Sequence, residues 1–185
     1  MKNTYLLGYF PLISILLFSL SFAVYGEIHT LDLLKEVGIY QGMLAFFSVT
    51  GIKLTLLFGL FLIVFMLFAA LKLIADTAIE ISLLFFSKES EGASLRSIRA
   101  CAVIYLIGGA VSLISIQSIL GILAIFLTTT FVAFIYFVYK ISPALSGAGL
   151  IGIIVFHVFG WSAMLSTILY CGIKLYNSVI ASMPL

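Results

Sequence analysis

The chain has 185 residues, of which 64% are hydrophobic and 9% are charged, and its formal net charge is +2. Soluble domains carry about 25% charged residues, and a chain of this size leaves much of its surface exposed, so a water-soluble fold is excluded. The small net charge, without a basic stripe among aromatics, excludes a nucleic-acid partner. We predict an all-α, polytopic membrane helix bundle that forms a single transmembrane domain over residues 1–185, with the lipid bilayer as its partner.

The first apolar segment, residues 5–25, is uncharged. It is too long for the apolar region of a signal peptide and lacks a following Ala-x-Ala site, so we predict a retained spanning helix. In residues 30–47, apolar side chains recur at spacings of three and four with polar ones between them, which indicates an amphipathic helix. We expect this helix to lie in the membrane interface. The alternative is a helix that packs back on the bundle as a lid.

A second spanning helix is predicted over residues 54–86. It opens with an uncharged run, residues 54–71, and then carries Lys72, Asp76 and Glu80 at four-residue spacing. One helix of this length extends about 50 Å at 1.5 Å per residue, whereas the hydrocarbon core is about 30 Å thick. We therefore expect the helix to cross the bilayer and to project beyond it, with its three charged side chains at or beyond one surface.

Residues 100–139 contain no charge, which is too long for one crossing and suits two. Ser115, Gln117 and Ser118 lie near the middle of this run and predict a tight hairpin. Because Gly108 and Gly109 interrupt the short first arm, we expect it to be little tilted or broken. About five transmembrane helices and one interfacial helix follow from these patterns. The predicted spans are residues 5–25, 54–86, 100–116, 119–139 and 150–173, and the interfacial helix is residues 30–47.

Basic residues predict the orientation, because they concentrate on the cytoplasmic side of membrane proteins. A cytoplasmic N-terminus and an extracellular C-terminus place six basic residues inside and three outside. In that topology Cys101 and Cys171 lie at opposite membrane surfaces, too far apart for a disulfide, whose Cα atoms must lie within about 7 Å. The inner residues are Lys2, Lys72, Lys88, Arg96, Arg99 and Lys140, and the outer ones are Lys35, Lys53 and Lys174.

The polar strip Lys72, Asp76 and Glu80 is the first candidate site, because residues four apart share a helix face. Carboxylates along a water-filled path can relay protons or bind a cation. The alternative is a face at headgroup level on which Lys72 extends toward water and pairs with Asp76.

A second candidate site lies within the membrane. His157 is the only titratable group in the apolar part of the last helix, and Trp161 follows four residues later on the same face. An ionisable residue inside the membrane is a functional-site hypothesis by default. The alternative is a neutral His157 that donates to a backbone carbonyl or to a threonine. The threonines in the middle of the fourth helix are Thr128, Thr129 and Thr130.

Signatures of enzymes, metal sites and cofactors are absent from the sequence. The two histidines are isolated from each other and the two cysteines lack CxxC spacing, so neither a metal site nor a catalytic triad is indicated. The glycines form no phosphate-binding loop. In the last segment Ser162 and Ser166 are four residues apart, as in small-residue faces along which membrane helices pack closely.

Three stretches of the chain resemble a known family. They are NTYLLGYFPLISILLFSLSFAVYGE, IHTLDLLKEVGIYQGMLAFF and FFSKESEGASLRSIR. Together they look like a family of small uncharacterised multi-pass membrane proteins from Bacillus-type bacteria. The resemblance implies a location in a bacterial cell membrane and no established activity, and it assigns no functional residues.

Two functions remain open from the sequence. The protein could bind or transport a small solute or ion between its helices, which rests on the two candidate polar sites. Alternatively, it is a non-transporting scaffold or regulatory subunit that docks a membrane protein partner, or a second copy of itself, through small-residue helix faces. A polar cavity that reaches His157 favours the first function, and a dry bundle with an exposed small-residue face favours the second.

Overall fold

The computed structural model describes residues 4–87 and 101–182, and all regular secondary structure in these two ranges is helical. Within these two ranges, six α-helices and two short 3₁₀ turns follow one another. The helices are α1 (Thr4–Glu36), α2 (Ile39–Leu44), α3 (Val49–Phe86), α4 (Cys101–Ser112), α5 (Ile119–Ile141) and α6 (Gly147–Ser182), and the 3₁₀ turns are Leu113–Ser115 and Ser142–Ala144.

α1 is longer than the first predicted span, residues 5–25, and does not end near residue 25 as predicted. The helix continues through the residues predicted to begin the interfacial helix and ends at Glu36. Gly38 then adopts a left-handed conformation, with φ of 79°, which favours glycine because it has no Cβ. The short α2 follows, so the amphipathic pattern is divided between the end of α1, this turn and α2.

α3 is one uninterrupted helix of 38 residues, which corresponds to about 57 Å at 1.5 Å per residue. It begins five residues before the predicted span, at Val49, and ends where predicted, at Phe86. Because the hydrocarbon core is about 30 Å thick, α3 is longer than one perpendicular crossing requires.

α4 and α5 form a helical hairpin with a short turn. α4 passes into the 3₁₀ turn Leu113–Ser115, and α5 begins at Ile119. We expected this arm to be either little tilted or broken, and the structure shows no break, because α4 remains regular through Gly108 and Gly109. Both glycines are buried at helix contacts, where the missing side chain allows close approach.

Within the described residues, four helices are long and apolar enough to cross a membrane, and a fifth apolar segment, Cys101–Ser115, is shorter. The fold is therefore an all-α membrane helix bundle, as the composition predicts. The shorter segment spans about 22 Å at 1.5 Å per residue, and residues 88–100 before it lie outside the described part of the chain. The long segments are Gly8–Glu36, Val49–Phe86, Ile119–Ala144 and Gly147–Ser182.

The chain divides into two compact units. The first contains α1, α2, α4, α5 and the part of α3 up to Asp76, and the second contains the end of α3 from Thr77 together with α6. In the first unit α4 packs against both α1 and α5. The core of this unit includes Phe18, Ala23, Ile122, Ala133 and Phe137.

Candidate functional site

A buried hydrogen bond between two serines joins α1 to α4. The Oγ atoms of Ser21 and Ser112 lie 2.7 Å apart, and both side chains are fully buried. Ser112 Oγ also lies 2.7 Å from the carbonyl oxygen of Gly109, and Ser21 Oγ lies 3.1 Å from that of Leu17. Since each hydroxyl has one proton, one proton links the two helices and the other goes to a backbone carbonyl. Such bonds help to hold membrane helices together.

Two adjacent glycines allow α4 to approach both of its neighbours. A Cβ atom on Gly109 would lie 3.0 Å from Leu17 Cβ and 3.3 Å from the carbonyl oxygen of Ser14, both in α1. A Cβ atom on Gly108 would overlap the side chain of Thr129 in α5. The backbone of α4 therefore packs closely against α1 on one side and against α5 on the other.

Four phenylalanines fill the space among α1, α3 and α5. The ring centroid of Phe18 lies 5.9 Å from that of Phe68 and 5.4 Å from that of Phe126, and Phe68 and Phe126 are 5.1 Å apart. Phe22 adds a contact of 5.6 Å to Phe68. These distances are typical of favourable aromatic pairs. The cluster makes this region of the first unit apolar and tightly filled.

The predicted polar strip is divided between the two units. Lys72 and Asp76 form an ion pair in the first unit, and 38% and 51% of their side-chain surfaces are exposed. Glu80 is exposed and belongs to the second unit. The pairing of Lys72 with Asp76 is the contact that the second interpretation of the strip requires. Exposed pairs of this type contribute little to stability, about 0.3–0.5 kcal/mol.

Tyr105 of α4, which the sequence did not mark as a candidate, contacts a threonine of the next helix. Its phenol is hydrogen-bonded to the side chain of Thr130 in α5. Thr130 Oγ1 itself donates to the carbonyl oxygen of Phe126 at 2.9 Å, which leaves its oxygen able to accept a hydrogen bond from the phenol. α4 and α5 of the first unit thus bring two polar side chains together here.

The predicted intramembrane site is also divided between the two units. Thr129 and Thr130 lie in the first unit, where each bonds to its own helix, and Thr128 is exposed. His157 lies in the second unit and is 5% exposed, with Nδ1 3.0 Å from the carbonyl oxygen of Ile153. This contact to a backbone carbonyl is the one that the structural interpretation of His157 requires.

Trp161 and Phe156 flank His157 along α6. Trp161 is half-buried, and the ring of Phe156 lies 5.6 Å from that of His157 in an edge-to-face arrangement. Among the residues described, no group of three histidine, cysteine or acidic side chains is placed to hold a metal ion.

The end of α3 packs against two glycines of α6 in the second unit. A Cβ atom on Gly149 would lie 2.8 Å from the carbonyl oxygen of Phe86, and one on Gly152 would overlap the Phe86 ring. Phe156 contacts the same ring, with centroids 6.5 Å apart. Because these two glycines have no side chains, the first turns of α6 can pack closely against the end of α3.

The remainder of α6 is exposed. From residue 162 to residue 182, Met164 is half-buried and the other described side chains are exposed. The sequence analysis singled out Ser162 and Ser166 on this part of the helix. Small or polar residues at spacings of three and four form a second face of this part of α6. They are Gly160, Ala163, Thr167 and Cys171.

Sequence reasoning missed the serine contact between α1 and α4. Its signal was present, because Ser14 and Ser21 are seven residues apart and share a helix face, and Gly109 and Ser112 are three apart. Small residues at these spacings indicate close helix packing in membranes. The sequence alone did not show which two faces meet.

Comparison with known proteins identifies the family. Residues 27–184 match the model of a family of unknown function, DUF5366. The chain is 44% identical over 184 residues, covering 100% of both chains, to the uncharacterised membrane protein YufK of Bacillus subtilis (strain 168). No solved structure matches the chain. The resemblance to uncharacterised membrane proteins of Bacillus-type bacteria is thereby confirmed, and the chain belongs to the DUF5366 family of membrane proteins.

Proposed function

We propose that the protein is a non-transporting scaffold or regulatory subunit of the bacterial cell membrane, and that it docks a partner membrane protein through the second half of α6. The observation that carries this proposal is the exposure of that half-helix, in which Met164 alone among the described side chains of residues 162–182 is half-buried.

The face formed by Gly160, Ala163, Thr167 and Cys171 suits a second helix. Small side chains let two backbones approach closely, and in lipid this packing contributes much of helix association. The hydroxyl of Thr167 donates to the carbonyl oxygen of Ala163 at 2.9 Å, so the polar group is satisfied within α6. Large apolar side chains such as Leu169 lie on the opposite side, where lipid contacts suit them.

The packing of the first unit also favours docking over conduction. Its interior is occupied by the serine contact, by the glycine contacts of α4 and by the phenylalanine cluster. Two open grooves on the described residues are lined by apolar and aromatic side chains and by glycine. A docking protein requires a stable scaffold of this kind and an exposed face for its partner.

Site-specific photocrosslinking in native membranes tests the proposal. A photoreactive amino acid at position 167 should give one discrete protein crosslink, and the same probe at position 169, on the opposite side, should give lipid adducts. Ala163→Phe should abolish the protein crosslink from position 167, whereas Leu169→Phe should leave it unchanged. If both positions label lipid alone, the proposed docking face is incorrect. A crosslink to a second copy of this chain would identify the partner as a homo-oligomer.

A second candidate function, binding or transport of a small solute or ion, is favoured by the polar groups around Tyr105. Tyr105 and Thr130 form a hydrogen bond between α4 and α5, and Ser19 Oγ is fully buried without a partner among the described residues. If this function holds, vesicles that contain the protein should show an ion flux that Asp76→Asn abolishes. A flux equal to that of empty vesicles would reject it.

We also propose the orientation predicted from the basic residues, with the N-terminus in the cytoplasm. The counts of six inner and three outer basic residues support it. Of the inner residues, Lys72 and Lys140 lie within the described residues, in α3 and at the end of α5.

A further inference from the structure

The first unit has an open groove between α4 and α5. Its volume is about 280 Å³, and Ile104 of α4 forms one wall. The side chains of Val132, Ile135, Tyr136 and Tyr139 form the α5 wall. These α5 residues extend over about 10 Å at 1.5 Å per residue. The groove is therefore apolar along its length, and its two tyrosines lie toward the C-terminal end of α5.

A lysine lies at this tyrosine end. Lys140 follows directly after Tyr139, and its Nζ atom lies 5.7 Å from the ring centroid of Tyr136, within the range of a cation–π contact. Lys140 is exposed, and the lysine ion pairs found in residues 4–87 and 101–182 involve Lys35 and Lys72. Among the described residues, the positive charge of Lys140 thus meets an aromatic ring at the end of the groove and no carboxylate.

We propose that this groove binds an anionic phospholipid, with an acyl chain along the apolar walls and the phosphate on Lys140. Lysine and tyrosine concentrate at the membrane interface, which is the depth at which a lipid carries its phosphate. Basic pockets between spanning helices bind anionic headgroups by charge complementarity. The groove is apolar along about 10 Å and has a positive charge at one end, which is the arrangement that an acyl chain with an anionic headgroup requires.

The test is native mass spectrometry of the full chain in detergent with phosphatidylglycerol or phosphatidylcholine added in equal amounts. The wild type should retain phosphatidylglycerol preferentially. Lys140→Gln should reduce that preference roughly five-fold, the value for one lysine near a charged headgroup, and Lys140→Arg should preserve it. Lys53→Gln serves as the matched control, because Lys53 is exposed at the start of α3 and does not line the groove, so its preference should equal the wild type's.

A second variant tests the apolar part of the site. Ile135→Trp fills the groove and should reduce retention of phosphatidylglycerol, whereas Leu127→Trp, at an exposed position two turns earlier on α5, should not. Equal retention of the two lipids by the wild type would overturn the proposal. It would also be overturned by an unchanged preference in Lys140→Gln or by unchanged retention in Ile135→Trp.

Discussion

The substitution Gly108→Ala adds one methyl group and should destabilise the first unit. The added Cβ would overlap the side chain of Thr129, whose Cγ2 and Cβ atoms would lie only 2.6 Å and 2.9 Å from it. Thr129 cannot easily turn aside, since its hydroxyl is bonded to the carbonyl oxygen of Ile125 at 2.7 Å and its side chain is 7% exposed. Overpacking of this kind costs about 1–3 kcal/mol.

A double-mutant cycle makes the prediction specific to this contact. Thr129→Ala removes two of the three overlapping atoms and leaves the Cβ atom at 2.9 Å, so it should rescue Gly108→Ala in part. The coupling energy between the two changes should be about 1–2 kcal/mol, within the range for residues in contact. It would be measured by unfolding the protein with increasing sodium dodecyl sulfate in mixed micelles.

Gly59→Ala is the matched control for this cycle. A Cβ atom at Gly59 would meet nothing within 4 Å, and alanine has a higher helix propensity than glycine by about 1 kcal/mol. The control should therefore be neutral or stabilising. The reasoning would be refuted if Gly108→Ala were as harmless as Gly59→Ala, or if the effects of Gly108→Ala and Thr129→Ala were simply additive.

Three further outcomes are expected. Ser21→Ala should lower the free energy of unfolding by about 0.6 kcal/mol and by no more than about 1.7 kcal/mol, the average and the maximum for hydrogen bonds between membrane helices. The loss stays small because Ser112 keeps its own backbone acceptor, and no loss in the same unfolding titration would argue against the bond. Gly38→Ala should cost about 1 kcal/mol, since its φ of 79° strains any residue with a Cβ, and thermal unfolding would reveal this cost. Labelling of intact cells with a membrane-impermeant maleimide should modify Cys171 but not Cys101, and the reverse pattern would invert the proposed orientation.

Composition and periodicity predicted the parts of this fold that depend on a residue's own chemistry. The apolar runs located the long helices, and the uncharged run of residues 100–139 divides at the hairpin where small polar residues stand. The end of α1 was harder to predict, because the amphipathic pattern that begins at Thr30 fits equally well a new helix and the continuation of an existing one. In the structure α1 continues to Glu36, and the left-handed φ angle of Gly38 then separates it from α2.

The candidate sites show a different limit. Spacing on one helix correctly places Lys72 beside Asp76, since residues four apart share a face. Contacts between helices depend on which faces meet, and one chain's pattern does not contain that information. The neighbourhood of Tyr105 and the bond between Ser21 and Ser112 therefore became visible only with the fold.

The small buried share of α3 has a consequence for how its sequence can vary. Only 6% of its most apolar window is buried inside the chain, and its exposed side chains, such as Ile63 and Met66, have no complementary surface within the chain to match. Exchange among leucine, isoleucine, valine and phenylalanine should leave both folding and insertion intact at those positions. Phe68, which is 8% exposed, should tolerate far fewer replacements, so that a saturation-mutagenesis map of α3 would show long permissive stretches interrupted by a few restricted sites.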